Sequence, residues 1–480
     1  MKLLATIDAL TRTAPSFRAL ADEVATLLGD AMPHYRRVDV VTADPPQGAV
    51  PVRWGGEAVA WIAVEASGLN AADALLLGEV AALLAVRWGR DHDSAGAATV
   101  AVVGGGFEIP ASARPVFPPV HGSVSYLFDD MQALETFQAH PERGFEYTRL
   151  GNPTVRAAEE AIARLEGAEA SVLHASGMAA IANAVLSVVS AGDELLSAVD
   201  TYGGTHHLFT QVLPRLGIKV RFAPTDALAE AITPGTRAVY FEPITNPSMR
   251  VADLSAIVAA ARAVGALTIV DNTVASPVFL RPLAHGVDLV VHSATKYLGG
   301  HSDLMAGVAS GSRSHTGRIE TLVSLLGACF NPREASLLIR GLKTLDLRVR
   351  RQDASARVIA EWLSRRPEVR SVSHPSLPSH PDHDRAARLL DGLGCLVTFD
   401  LHDGSGARRM VDALTRFARA ASLGAVESLV TLPVLSSHWK VDPESLARAG
   451  VSAATVRLSI GVEDVGDLIA DLERALRAST

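Results

Sequence analysis

The chain has 480 residues, 48% hydrophobic and 20% charged, with a formal net charge of −8 at pH 7 and a mean hydropathy of +0.21. That length predicts two to four domains at roughly 100–200 residues each, and the balance excludes disorder as the main state. Without a basic surplus to neutralise phosphates, it argues against a dedicated nucleic-acid binder.

Residues 5–29 carry Ile7, Leu10, Phe17, Leu20, Val24, Leu27 and Leu28 at helical spacing. The N-terminus reads as a helix start rather than a signal peptide. Strand-like runs follow at 37–42, 50–53 and 58–65, with a Gly55–Gly56 turn joining the last two, and 70–88 is a second amphipathic helix. This order resembles a reduced GAF domain over 1–92, short enough that the usual ligand pocket is in doubt. A dimerising or solubilising appendage is the favoured role over small-molecule sensing. Residues 93–115 are rich in Ala, Gly and Ser and read as a linker. The Gly104–Gly106 triplet lacks the G-x-G-x-x-G spacing of a dinucleotide fingerprint.

From 116 to about 355, short runs at 171–175, 194–198, 238–241, 268–270 and 289–292 alternate with Ala-rich helical stretches. That alternation predicts an α/β domain with a mostly parallel sheet covered by helices on both faces. The long uncharged run at 170–192 reads as a buried strand plus helix rather than a membrane span. Residues 356–480 predict a smaller α+β domain with strands at 395–400 and 455–460. The two cysteines, Cys329 and Cys395, are too few for a disulfide framework or a CxxC metal site, and suit a reducing cytoplasm. Both read as small buried residues. His374, His380 and His383 sit in a Pro-rich stretch that reads as a surface loop rather than a metal site.

The densest chemistry is HSATKYLGGHSD, residues 292–303. Lysine occurs only at positions 2, 219, 296, 343 and 440, so a catalytic amine has few candidates. Lys296 follows a strand at its carboxyl edge, where α/β sheets place ligands, and an amine there can form a Schiff base with an aldehyde cofactor. Ser293 and Thr295 offer hydroxyls to a phosphate. Asp271, in TIVDNT, ends another strand and can keep a pyridine nitrogen protonated. Gly177 and Met178 open a helix whose amides can face a phosphate, and Tyr202 in DTYGGT can stack on a flat ring. Together these make a minimal pyridoxal phosphate (PLP) site.

With these motifs, residues 116–480 resemble the Cys/Met-metabolism PLP family, which includes cystathionine γ-synthase, cystathionine γ- and β-lyases, methionine γ-lyase and homoserine-ester sulfhydrylases. The resemblance also rests on YTRLGNPT (147–154), SGMAA (176–180), EPITNP (242–247), RGLKTL (340–345), SLGAVESL (422–429) and VRLSIGVED (456–464). It implies PLP fold type I, as in aspartate aminotransferase: a large domain over 116–355 and a small C-terminal domain over 356–480. It implies that Lys296 holds the cofactor and shuttles protons, that Asp271 pairs with the ring nitrogen, and that Tyr202 stacks on the ring and acts as a second acid/base. Gly177, Met178, Ser293 and Thr295 would bind the phosphate. Tyr147 and Arg149 would reach the phosphate of a neighbouring subunit, which implies a homo-oligomer, a dimer or a tetramer. Arg457, with Ser422 and Asn246, would hold the substrate α-carboxylate, and Glu427 would meet its distal end.

Gly204 stands where methionine γ-lyases usually carry Cys, and SLGAVESL is similar to the cystathionine γ-synthase and γ-lyase pattern. The resemblance therefore implies γ-elimination or γ-replacement on a cystathionine-like amino acid, in a cytoplasmic enzyme. Departures are EPITNP for E-S-P-x-N-P, His121 for an aromatic, and Trp439–Lys440 where small residues are usual; these point to a specialised substrate. The competing classes are a regulatory protein with a degenerate PLP fold and a PLP aminotransferase or decarboxylase. Intact Lys296, Asp271 and Arg457 weigh against the first, and the 147–149 and 200–205 motifs against the second.

Overall fold

The computed structural model describes residues 115–436 and 450–479, the backbone of strands at 38–41, 50–54 and 57–64, and positions 24, 25, 27, 28, 77, 80, 439 and 446. The chain divides into two units, residues 1–99 and 100–480. In the first, strands β1 (Val38–Val41), β2 (Val50–Trp54) and β3 (Glu57–Val64) form an antiparallel sheet in the order β1-β3-β2. Val24, Leu28, Leu77 and Val80 are helical and fully buried. The rest of the helices expected over 5–29 and 70–88, the Gly55–Gly56 turn, and the linker expected over 93–115 up to residue 114 lie outside the described residues.

The second unit is ordered by well-marked helix starts. Asn152 accepts from the Thr154 amide (2.9 Å) with Pro153 in the first turn, which starts the helix Pro153–Glu166. Seven strands follow: β4 (Ala170–His174), β5 (Glu194–Ala198), β6 (Lys219–Ala223), β7 (Thr236–Phe241), β8 (Leu267–Asp271), β9 (Leu289–His292) and β10 (Gly307–Gly311). They form one sheet in the order β4-β10-β9-β8-β7-β5-β6. β10 runs antiparallel to both neighbours; the other pairings are parallel. Six strands therefore point one way and deliver their carboxyl ends to one edge.

Strand residues Leu195, Tyr240, Ile269, Leu289 and Val291 are fully buried beside Ala184 and Phe209 in one core. Each such aliphatic or aromatic side chain contributes about 1.5–3 kcal/mol by leaving water. The apolar run at 170–192 is β4 followed by the helix Gly177–Leu186, and no described helix is long and apolar enough to cross a membrane.

A second sheet holds β11 (Val369–Ser373), β12 (Leu396–Leu401), β13 (Ala418–Arg419), β14 (Leu429–Thr431) and β15 (Thr455–Ser459), in the order β11-β12-β15-β14-β13. Its core takes side chains from the helices Leu345–Leu363, Gly404–Ala413 and Val465–Arg477.

The surface loop expected around the histidines is corrected by the structure: His374 and His380 are buried. The His374 ring bonds the Gly394 carbonyl and the Ser376 hydroxyl, and Asp382 behind it pairs with Arg250 at 2.6 Å. These bonds satisfy the His374 ring and the Asp382 carboxylate and let the Pro-rich turn pack inward. Cys395 is buried as expected, whereas Cys329 is only half-buried.

Candidate active site

The carboxyl edge of the large sheet lines a cavity of about 420 Å³. Ten of the expected site residues meet there: Gly177, Met178, Tyr202, Asn246, Asp271, Ser293, Thr295, Lys296, Ser422 and Arg457.

Lys296 lies four residues beyond β9, and its Nζ donates to Ser422 Oγ at 2.9 Å. Burial, and then the nearby Arg457 guanidinium, hold its amine below the ordinary lysine pKa. Asp271 ends β8. Its Oδ1 accepts from the Thr273 amide (3.0 Å) and hydroxyl (2.5 Å), and its Oδ2 accepts from the Tyr240 hydroxyl at 3.2 Å. It makes no ion pair among the described residues, and burial raises its carboxyl above the usual range. A buried carboxylate held by hydroxyls and facing a cavity lacks a counterion, and a protonated ring nitrogen fits that position.

The helix Gly177–Leu186 starts at the cavity, capped by Ser176 Oγ on the Ala179 amide (3.2 Å). The amides of Gly177 and Met178 have no intrahelical acceptor by position, so they can serve an anion. A Cβ on Gly177 would lie 2.8 Å from Ser293 Cβ and 3.0 Å from Ser293 Oγ. Glycine thus lets the Ser293 hydroxyl come up against the helix start. Thr295 is engaged locally: its hydroxyl donates to the Ala306 carbonyl (3.1 Å) and accepts from the Ala306 amide (2.9 Å).

Tyr202 is 44% exposed. Its amide donates to Glu242 Oε1 at 2.7 Å, which fixes the backbone that carries the ring. A Cβ on Gly204 would fall 2.6 Å from Tyr202 Cε1, so the ring position depends on glycine there. Burial, and then Asp271, push the Glu242 carboxyl well up.

Arg457, on β15, is 4% exposed. Its Nη1 donates to Asn246 Oδ1 (3.2 Å) and its Nη2 to the Ser422 carbonyl (2.7 Å), while its buried Nε has no partner among the described residues. Burial pushes its pKa down to about 10. A guanidinium with a spare donor beside a cavity is suited to a carboxylate.

Three expected residues do not line this cavity. Tyr147 and Arg149 are exposed; Arg149 Nη1 donates to the Ser324 carbonyl at 2.6 Å, with its guanidinium 5.7 Å from the Tyr147 ring centre. Glu427 is exposed, and its carboxylate accepts from Ser302 Oγ at 3.4 Å, although residues 423–425 before it and Ser428 after it are buried. Sequence reasoning missed Tyr240, Thr273 and Glu242, which hold Asp271 and Tyr202. Thr273 and Glu242 sit inside motifs already singled out, VDNT and EPITNP; Tyr240 had no signal, since it reads as one more apolar strand residue.

The family model described as Cys/Met metabolism PLP-dependent enzyme matches residues 98–477. L-methionine gamma-lyase of Pseudomonas putida is 42% identical over 368 residues, 75% of this chain and 92% of the relative. Cystathionine beta-lyase of Lactococcus lactis subsp. cremoris is 40% identical over 379 residues, 78% of this chain and 97% of the relative. The crystal structure of cystathionine gamma synthase from Xanthomonas oryzae pv. oryzae, in complex with cystathionine, matches with a TM-score of 0.75 at 38% identity, covering 80% of this chain and 98% of that one.

Proposed function

Because this chain belongs to the Cys/Met metabolism PLP-dependent enzymes, we propose that it carries out γ-elimination on cystathionine or a close thioether amino acid. It is a PLP-dependent enzyme with the fold type I architecture, acting on sulfur-containing amino acids by elimination or replacement. One cavity holds an amine of depressed pKa, a buried carboxylate with no ion-pair partner among the described residues and an arginine with a spare donor, Lys296, Asp271 and Arg457, which supports PLP chemistry on an amino acid; the preference for the γ-carbon rests on Gly204 and the SLGAVESL motif.

PLP, when bound, supplies an electron sink for the pair left on the substrate Cα. Asp271 would keep the PLP ring nitrogen protonated, and Tyr240 and Thr273 keep the carboxylate in place. Gly177, Met178 and Ser293 would hold the PLP phosphate at the helix start. Arg457 and Asn246 orient the α-carboxylate, so that the Cα proton lies toward Lys296. Burial and then Arg457 lower the Lys296 pKa, which favours the neutral amine that accepts that proton. Ser422 Oγ holds Nζ on the substrate side. Tyr202, held through Glu242, is the second group for proton transfer, toward Cβ or the leaving sulfur.

Two readings stay beside this one. Relatives of closely similar identity act at either carbon by name, methionine gamma-lyase and cystathionine beta-lyase, and γ-replacement on an activated homoserine uses the same groups. Trp439 is 56% exposed and its amide bonds Ser436, a cavity-lining residue; this supports a specialised thioether substrate. The deciding experiment incubates the PLP-loaded protein with L-cystathionine alone and identifies the keto acid and thiol by mass spectrometry. 2-Oxobutyrate with cysteine establishes γ-elimination. Pyruvate with homocysteine overturns it in favour of the β-carbon, and no keto acid overturns it in favour of replacement.

For assembly, we favour a homo-oligomer, at least a dimer and in full a tetramer, in which Tyr147 and Arg149 serve the partner's phosphate site. Their exposure outside this chain's own cavity, and the exposed Leu127, Leu325 and Leu326, support that reading. The free cysteines suit a cytoplasmic location. The small sheet of residues 38–64 suits a GAF-like appendage.

A further inference from the structure

The loop carrying Lys296 and the loop carrying Ser422 come from different sheets, and both are gripped by one helix. On the helix Leu345–Leu363, Arg348 and Gln352 stand four residues apart and so share a face. Both are buried, at 5% and 0% exposure.

Arg348 Nη1 donates to the Tyr297 carbonyl (2.9 Å), the residue after Lys296, while Nη2 donates to the Gly341 carbonyl (2.9 Å) and Nε to Thr344 Oγ1 (3.1 Å). Among the described residues it has no carboxylate partner. A guanidinium buried against neutral acceptors is expensive, so its presence here points to a geometric role. The turn is shaped around it: Gly300 has φ +73°, and a Cβ there would lie 1.9 Å from Arg348 Nη1.

One turn further along, Gln352 Nε2 donates to the Ala425 carbonyl at 2.6 Å, three residues after Ser422. The two gripped loops also touch. The Val426 amide donates to the Gly300 carbonyl at 3.0 Å, and a Cβ on Gly424 would lie 2.7 Å from the Tyr297 amide nitrogen. The product of this packing is the 2.9 Å bond from Lys296 Nζ to Ser422 Oγ.

We propose that Arg348 and Gln352 are positioning residues that form a two-point clamp, holding the Lys296 turn and the Ser422 loop in register so that Lys296 Nζ stays bonded to Ser422. The inference rests on Lys296 holding PLP; it does not depend on which sulfur amino acid is the substrate.

The test is a pH titration of the visible band of the PLP-loaded full-length protein, run as a cycle of parent, Gln352→Met, Ser422→Ala and the double variant. Gln352→Met should move the midpoint by about half a pH unit or more, the size of one lost hydrogen bond. The double variant should titrate like Ser422→Ala alone, because Gln352 acts through that loop. The kcat should fall roughly tenfold or more while KM changes far less, as expected for a misplaced base. Melting curves identify a variant that fails to fold, in which case Arg348→Lys, which keeps the charge but loses the planar fork that serves three acceptors, takes its place in the cycle. A midpoint unchanged from the parent, or shifts that add in the double variant, overturns the clamp. A parent with no PLP band would instead refute the Lys296 reading beneath it.

Discussion

Arg457→Lys is the perturbation whose size follows most directly from the structure. The arginine spends Nη1 on Asn246 and Nη2 on Ser422, and keeps Nε buried and unpaired. A lysine keeps the charge but has one compact head, so it cannot serve Asn246, the Ser422 carbonyl and a substrate carboxylate together. Losing two charge-assisted bonds at about 1.5 kcal/mol each costs about 3 kcal/mol, or about 150-fold in kcat/KM. The loss should fall mainly on KM, since Lys296, Asp271 and Tyr202 are untouched. The assay is steady-state keto-acid release, paired with a PLP-binding titration that should match the parent. A change of less than about threefold in kcat/KM, with PLP binding intact, would show that Arg457 does not hold the substrate carboxylate.

Asp271→Asn removes the charge that a ring nitrogen would meet; a unit pair at about 4 Å and an effective dielectric near 20 amounts to about 4 kcal/mol, so kcat should drop about 1,000-fold, and wild-type turnover would contradict the pairing. Trp439→Ala should change the ranking of kcat/KM across thioethers of increasing bulk, and an unchanged ranking would remove Trp439 from the entrance. His174 and His374 are both pushed down to about 4 by burial. Their folded pKa values lie below the unfolded 6.5, so the unfolded chain binds protons first and stability is lost as pH falls from about 6.5 to about 4, by about 3 kcal/mol for each. Glu159, pushed up to about 8 by burial, acts with the opposite sign as pH rises. The informative quantity is therefore the slope of denaturant stability against pH for His374→Gln and the parent: the variant should be flatter, and equal slopes would refute the argument.

The strands that frame the site could be read from the sequence because they are buried on both faces. The run at 289–292 and the strand β9 coincide, and 194–198 coincides with β5. Strand β6 carries Lys219 and Arg221 at the sheet edge, and β10 is small and glycine-bounded, so neither shows the apolar run that marked the others. The residues that line the cavity could be picked out because they lie in short contiguous motifs, as with Asp271 and Lys296. What holds those residues was not, because Tyr240, Arg348 and Gln352 act through the fold rather than through a motif. Glu427 lies in a motif as well, yet its exposed carboxylate meets Ser302 outside the cavity, a placement that the motif alone does not reveal.

The central claim, that Lys296 is the residue that carries PLP, is tested most directly by reducing the PLP-loaded protein with borohydride and mapping the pyridoxyl-modified peptide by mass spectrometry. With only five lysines in the chain, the assignment is unambiguous. The label is predicted on Lys296 alone and absent from Lys296→Ala. Stoichiometric label on Lys2, Lys219, Lys343 or Lys440, or undiminished label in that variant, would contradict the account.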